Sequence, residues 1–306
     1  MSFLFIFLIT MTNQIVIKLP ENTLNEFTRE LVSAGAFQID TKGKYEFSRF
    51  KINNGSIIIY KTGKIVADNE EPVKKLLSNT IKKLPISFAY PKGLNPNDFE
   101  VVIGSDETGK GEWLGPLVIT AVAIKPDMVY DLIDCGVMDS KIVPKNNISE
   151  VCECIRSNIL SRNIVTISPK RFNELSSRSG IENLNHILDW AHGRAIMNLY
   201  MELYRMKFNG KILTIVDDFA PHTTTRNLDK IAKRNDTVLH REKNAERYIV
   251  VAAASILSKC VRNNWINTQL NKYGISPDIS PEEAINHPKV NEFAKVQYLK
   301  TLLKRM

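Results

Sequence analysis

Residues 84–97 read Leu-Pro-Ile-Ser-Phe-Ala-Tyr-Pro-Lys-Gly-Leu-Asn-Pro-Asn, with three prolines, one glycine and no sustained hydrophobic period. Proline removes a backbone donor and fixes φ, and glycine loosens the chain, so neither a helix nor a central strand is expected to run through this segment. The chain is therefore expected to fold as two units joined by a linker at 84–98. Its 306 residues are enough for two cores.

The two sides differ in pattern. Before the linker, 14–19 alternates like a strand, and 23–34 places Leu24, Phe27, Leu31 and Val32 on one helical face. Three short strands follow at 45–52, 56–60 and 64–67, with Asn53-Asn54-Gly55 and Thr62-Gly63 as turns, and then a helix at 71–83. This order predicts a small α+β unit over 11–83 with its helices on one face of a sheet. After the linker, apolar strand-like runs at 101–105, 116–124, 164–168 and 212–216 alternate with helical stretches at 183–205, 247–264 and 291–303. Continuous apolar strands between helices predict an α/β unit over 99–306 whose sheet is covered on both faces. Residues 1–10 contain an apolar run from Phe3 to Ile9 that lacks the flanks of an export signal and is too short to span a bilayer. They read as an extension outside the fold.

Apolar residues at 43% and charged residues at 24% exclude a disordered, collagenous or membrane-bundle chain. The 41 Lys and Arg against 33 Asp and Glu leave +8, a surplus that attracts a polyanion such as nucleic acid. Residues 12–95 hold 13 of the bases and 8 of the acids, so the smaller unit carries +5 of that charge. Basic and aromatic residues alternate there at Lys44-Tyr45, Arg49-Phe50-Lys51 and Tyr60-Lys61, as a sheet face laid on a sugar-phosphate backbone requires. Cys135, Cys152, Cys154 and Cys260 show neither zinc nor redox spacing and read as four reduced thiols of a cytoplasmic protein.

The chemistry is concentrated in Ile103-Gly-Ser-Asp106-Glu107-Thr-Gly109-Lys110-Gly111-Glu-Trp-Leu-Gly-Pro116, where a buried strand ends in two adjacent carboxylates and a glycine-spaced loop. Ligands of α/β sheets bind beyond the carboxyl ends of strands, so these acids face a site. Gly104 to Lys110 imitates a phosphate-binding P-loop, but Gly111 stands where Ser or Thr is required, and two carboxylates inside the loop would repel phosphates. A second strand ends in Asp217-Asp218, and Glu246 opens a helix whose Ala252-Ala253-Ala254 would pack closely on the sheet. Together these acids make a hard oxygen site suited to Mg²⁺ or Mn²⁺, and a basic protein with such a cluster reads as a metal-dependent nuclease. On the residues alone a DNA nuclease or strand transferase, or a binding protein whose acids are idle, stays open.

Residues 104–116 resemble the Asp-Glu-x-Gly-x-Gly-x-x-x-Gly-Pro signature of type 2 ribonucleases H, Asp139-Ser140-Lys141 resembles their Asp-Ser-Lys segment, and 252–256 resembles their helix after the last acid. Within that family the chain is most similar to ribonuclease HIII, through its basic N-terminal unit, Asp217-Asp-Phe-Ala, and a glutamate at 246. The resemblance implies a ribonuclease H-like catalytic domain, a mixed sheet with helices on both faces, preceded by a TATA-box-binding-protein-like domain that grips substrate. It implies that Asp106, Glu107, Asp217 and Glu246 are both the catalytic and the metal-binding residues. Asp217 is preferred to Asp218 because the family's acid directly follows the apolar strand. Gly109, Lys110 and Gly111 would approach ribose 2′-hydroxyls, with Lys110 standing where the family commonly has threonine and Asn244 where it commonly has lysine. Ser140 and Lys141 would contact the phosphate backbone. Asn185 and His192, seven apart on one helical face, would be further substrate contacts, although a buried hydrogen-bonded ring is the commoner fate of a histidine at such a position. Lys295, in Phe-Ala-Lys-Val-Gln-Tyr, matches a C-terminal family segment and receives no role. The activity implied is endonucleolytic cleavage of the RNA strand of an RNA/DNA hybrid with two metal ions, by a cytoplasmic monomer with no membrane or protein partner.

Overall fold

Strict alternation of buried and outward side chains builds the first sheet. The structure, a computed structural model, describes residues 14–19, 21–84, 89–137, 148–179, 184–219, 225–276 and 278–305. Ser140 and Lys141 lie outside the described residues, as do residues 1–10. The first described elements are β1 (Gln14–Lys18), α1 (Leu24–Ser33), β2 (Phe37–Ile39), β3 (Glu46–Ile52), β4 (Gly55–Tyr60), β5 (Lys64–Asp68) and α2 (Glu71–Ile81). The strands form an antiparallel sheet in the order β1-β5-β4-β3-β2. Phe50, Ile57, Ile59 and Ile65 point to one face, where Leu24, Phe27 and Leu31 of α1 and Val73, Leu77 and Ile81 of α2 bury them. The expected α+β arrangement is present, with one strand more than the pattern predicts. Strand β2 has three residues, none of them buried, and so shows no hydrophobic period.

The second sheet is built from β6 (Val101–Thr108), β7 (Leu117–Ile124), β8 (Ser161–Ile167), β9 (Ile212–Asp217) and β10 (Thr237–Glu242). Its order is β10-β9-β6-β7-β8, with β10, β9 and β6 parallel and β7 and β8 antiparallel to their neighbours. The helices are α3 (Val129–Asp134), α4 (Ile148–Ser157), α5 (Pro169–Ser179), α6 (Leu184–Arg205), α7 (Arg226–Ala232), α8 (Ile249–Tyr273), α9 (Pro281–Asn286), α10 (Val290–Phe293) and α11 (Val296–Leu303). Val101 and Ile103 of β6 join the core beneath α6, and Val102 joins the core beneath α8. The sheet is thus covered on both faces, as the apolar runs imply. Strand β10 escaped the pattern because Thr-Val-Leu-His-Arg-Glu is a half-buried edge with no continuous apolar run. The helix expected over 291–303 is broken, since Ala294 turns extended and pairs with Leu114.

One glycine sets the closeness of the layers. A Cβ on Gly104 would lie 2.5 Å from the Val250 carbonyl carbon, so α8 crosses β6 backbone to backbone. That crossing brings the residues just before α8 to the carboxyl ends of β6 and β9.

The two sheets meet through α2 and α3. Ser78 donates to Asp134 at 3.1 Å, and Lys82 pairs with the same carboxylate at 2.6 Å. Within the 84–98 segment Leu84, Ala89 and Tyr90 are buried, and the Tyr90 hydroxyl donates to the Pro126 carbonyl at 2.8 Å. The thiol expectation is corrected: Cys135 is disulfide-bonded to Cys154, and Cys152 to Cys260. Cys152 and Cys154 stand two apart on α4 and so face opposite ways, one toward Cys260 of α8 and the other toward Cys135 at the end of α3. No spacing rule reveals such pairs. Among the described residues no helix is long and apolar enough to cross a membrane.

Candidate active site

The pairing of the parallel strands β6 and β9 ends with Ser105 beside Val216, so the next residues, Asp106 and Asp217, emerge together. Side chains of a strand alternate between faces, and the two acids of β6 therefore part company. Asp106 turns toward α8, where Ser255 donates to its carboxylate. Asp217 shares that side, four residues on from Leu213 and two on from Ile215, both in the core beneath α8. It accepts a hydrogen bond of 2.7 Å from the backbone N–H of Ala245, which seats Glu246 next in line. Glu107 turns the other way, toward α6, and accepts from His192 Nε2 at 3.2 Å.

Charge binds the four acids into one site. Burial and the adjacent Glu107 carboxylate push Asp106 up to about 7, against the Ser255 bond, and Asp217 adds to the rise. Burial also raises Asp217, opposed by the Ala245 N–H and reinforced by Glu107 and Glu246. Burial alone would raise Glu107, but His192 and then Lys110 outweigh it and hold the group low. Lys110 Nζ lies 3.6 Å from Glu107 Oε1. Like charges crowded in a desolvated site favour a bound proton or a bound cation.

Asp218 is a different kind of residue. Its carboxylate pairs with Arg241 at 2.6 Å, and Arg241 also donates to Thr225 at 2.7 Å. Of two neighbours at one strand end, Asp217 faces the acids and Asp218 faces a guanidinium.

His192 is fully buried, stacked on Phe219 with ring centroids 4.8 Å apart. Its Nδ1 lies 2.8 Å from Ser105 Oγ. Ser105 Oγ also donates to the Thr120 carbonyl at 3.2 Å, and the imidazole bridges the serine and Glu107, which makes Ser105 and His192 a brace for the Glu107 carboxylate. The expectation that His192 contacts substrate is corrected, because a fully buried ring cannot reach it. Ser105 was missed, although period two places it on the same face as Glu107. Asn185 is half-buried in the first turn of α6, roughly 10 Å along the helix from His192, beyond the strand ends.

The loop after β6 holds Gly109 and Gly111 at φ +88° and +77°, conformations that glycine adopts freely. A Cβ on Gly109 would strike the Pro116 carbonyl oxygen at 2.3 Å, whereas one on Gly111 would meet nothing within 4 Å. Gly109 closes the loop, and Gly111 leaves open a side where another molecule's backbone can come close.

The donor chemistry fits a divalent cation: hard carboxylate oxygens, mutual repulsion, and Lys110 and His192 serving Glu107 as counter-groups. Among the described residues no three acidic, histidine or cysteine side chains converge as a finished ion cage.

The family model for ribonuclease HII matches residues 103–282. Ribonuclease HIII of Protochlamydia amoebophila (strain UWE25) is 30% identical over 243 residues, which cover 79% of this chain and 75% of that protein. Ribonuclease HIII of Chlamydia pneumoniae is 32% identical over 213 residues, covering 68% and 66%. Among solved structures, Bst-RNase HIII in complex with Mn²⁺ matches with a TM-score of 0.58 at 19% identity, over 96% of this chain and 100% of that one. Ribonuclease H2 from Pyrococcus horikoshii OT3 matches with a TM-score of 0.52 at 21% identity, over 67% and 98%. These two likenesses are of fold.

Proposed function

The chain belongs to the ribonuclease HIII branch of the type 2 ribonucleases H and is a ribonuclease H enzyme, and from that premise we propose that it cleaves the RNA strand of RNA/DNA hybrids by a two-metal-ion hydrolysis that leaves 5′-phosphate and 3′-hydroxyl ends. The observation that carries the reading is the electrostatic linkage of Asp106, Glu107, Asp217 and Glu246 at the carboxyl ends of β6 and β9. Mg²⁺ or Mn²⁺ held by these four would activate water and stabilise the leaving 3′-oxygen. The Mn²⁺ in the related Bst-RNase HIII supports that choice.

The chain's own groups do the rest. Asp106 and Asp217 hold their places through Ser255 and the Ala245 N–H. The Ser105–His192 brace fixes one oxygen of Glu107 and leaves the other beside Lys110. Lys110, exposed at the loop tip, is placed to meet a substrate phosphate, while the bare backbone at Gly111 admits a ribose 2′-hydroxyl. Asn185 extends the contact surface along α6. Residues 11–83 serve as the gripping unit and 99–306 as the catalytic one. Fixed charges do most of the catalytic work in such a scheme, and no covalent intermediate is needed.

Asp106→Asn tests the reading. Cleavage of a labelled hybrid falls by about a thousandfold or more, while hybrid affinity in a gel-shift assay stays within about threefold, since phosphate contacts supply most of it. Turnover at the normal rate, or equal cleavage of an all-DNA duplex by the unaltered enzyme, overturns it.

A further inference from the structure

Lys295 is fully buried, and it sits outside the residues that match the family model. A buried ammonium costs several kcal/mol unless it is well paired, and an apolar side chain of equal size would fill the space without that cost. Burial and the nearby Arg262 charge push it down to about 7, opposed by Glu112. What the ammonium does, and an apolar chain could not, is donate to the Gly115 carbonyl.

The backbone around it repeats the same attachment. The Lys295 N–H donates to the Trp113 carbonyl at 2.7 Å, and the Gly115 N–H donates to the Phe293 carbonyl at 2.9 Å. Behind the lysine, the Asn173 side chain donates to the Ala294 carbonyl at 2.9 Å and accepts from the Val296 N–H at 3.0 Å. Lys295 is held from α5 and holds the loop in turn. The end of that loop lies against its beginning, because Gly109 packs directly on the Pro116 carbonyl. Fixing Gly115 therefore fixes the turn at Gly109, Lys110 and Gly111.

We propose that Lys295 is a positioning residue for substrate binding, which clamps the Gly109-Lys110-Gly111 turn from the C-terminal segment through the Gly115 carbonyl. It never touches substrate. The inference rests on the reading that this turn meets the hybrid, and it adds the part of the molecule that holds the turn in place.

Two readouts separate the clamp from that reading. In Lys295→Met the amides of residues 109–115 exchange with solvent at least about tenfold faster than in the unaltered protein. KM for an RNA/DNA hybrid rises about tenfold while kcat stays within about threefold, since the carboxylates are untouched. Should Lys295→Met fail to fold, Asn173→Ala, which unseats the lysine from a half-exposed position, is held to the same results. Unchanged exchange over 109–115, or a loss confined to kcat, overturns the proposal. Gly111→Ala serves as the control: if it leaves KM unchanged while Lys295→Met loosens the loop, the clamp stands and the substrate role of the turn falls.

Discussion

The two five-stranded sheets of this molecule bury apolar surface in different ways, and each leaves a different part free. The antiparallel sheet is covered by α1 and α2 on one face, so its other face, with Arg49, Lys51, Ile58, Lys64 and Val66, keeps half-buried and exposed residues. The mixed sheet is covered on both faces, and its central strands β6, β7 and β9 are buried almost to their ends. A free face suits a long, repetitive polyanion, whereas a strand end gathers a few groups at one point. Binding and chemistry divide accordingly.

The sharpest effect is expected where that convergence is tested against its immediate neighbour. Asp217→Asn should cost about a thousandfold or more in kcat on a hybrid, because the loss falls on the cation site. Asp218→Asn should keep kcat within about threefold, yet lower stability to urea by about 2 kcal/mol, because it takes the carboxylate from the nearly buried Arg241. Equal activity losses in the two would mean that the strand end does not sort its acids by direction.

A smaller effect follows from the crowding of those acids. With Asp106 held up at about 7, against an ordinary value near 3.8, the folded chain binds a proton that the unfolded chain has already released. Between about pH 4 and pH 7 metal-free stability therefore falls as pH rises, and the full cost is in place above pH 7. Asp106→Asn removes that cost. It should stabilise the metal-free protein by about 2 kcal/mol at pH 8 and by almost nothing at pH 4, and added Mg²⁺ should narrow the gap at pH 8 by stabilising the unaltered chain. Urea unfolding at both pH values checks this, and a variant no more stable than its parent at pH 8 would refute it.

What could be read from the residues followed from their periodicity. The apolar runs gave β6, β7 and β9 because buried strands show no other pattern, and the Asp-Glu pair lies where it was expected, at the end of β6. Asp217 and Asp218, separable in sequence only by the family motif, point to different partners in the fold. The hidden parts were those set by tertiary contact. Strand β10 carries no apolar run, the disulfide partners come from separate elements, and His192 is turned inward by a serine 87 positions away. Lys295 stood out in sequence only through its likeness to a family segment, and the fold alone shows the carbonyl it serves.

The free face supplies the mildest and most discriminating comparison. The sequence reads Arg49-Phe50-Lys51 as one basic-aromatic patch, but Phe50 is fully buried and Arg49 is paired with Glu46 at 2.7 Å. Lys51 and Lys64 remain exposed on the outer side of their strands. Removing the whole unit would confuse charge with packing, since α2 is bonded to α3 through Ser78 and Lys82. Reversing two lysines leaves the core alone. Lys51→Glu with Lys64→Glu should raise KM for a hybrid about threefold to tenfold at low salt, leave kcat unchanged, and flatten the salt dependence of binding by about one to two in logarithmic slope. If the slope stays as steep as in the unaltered protein, the polyanion lies elsewhere, and the basic surplus of the first unit is only a solvated surface.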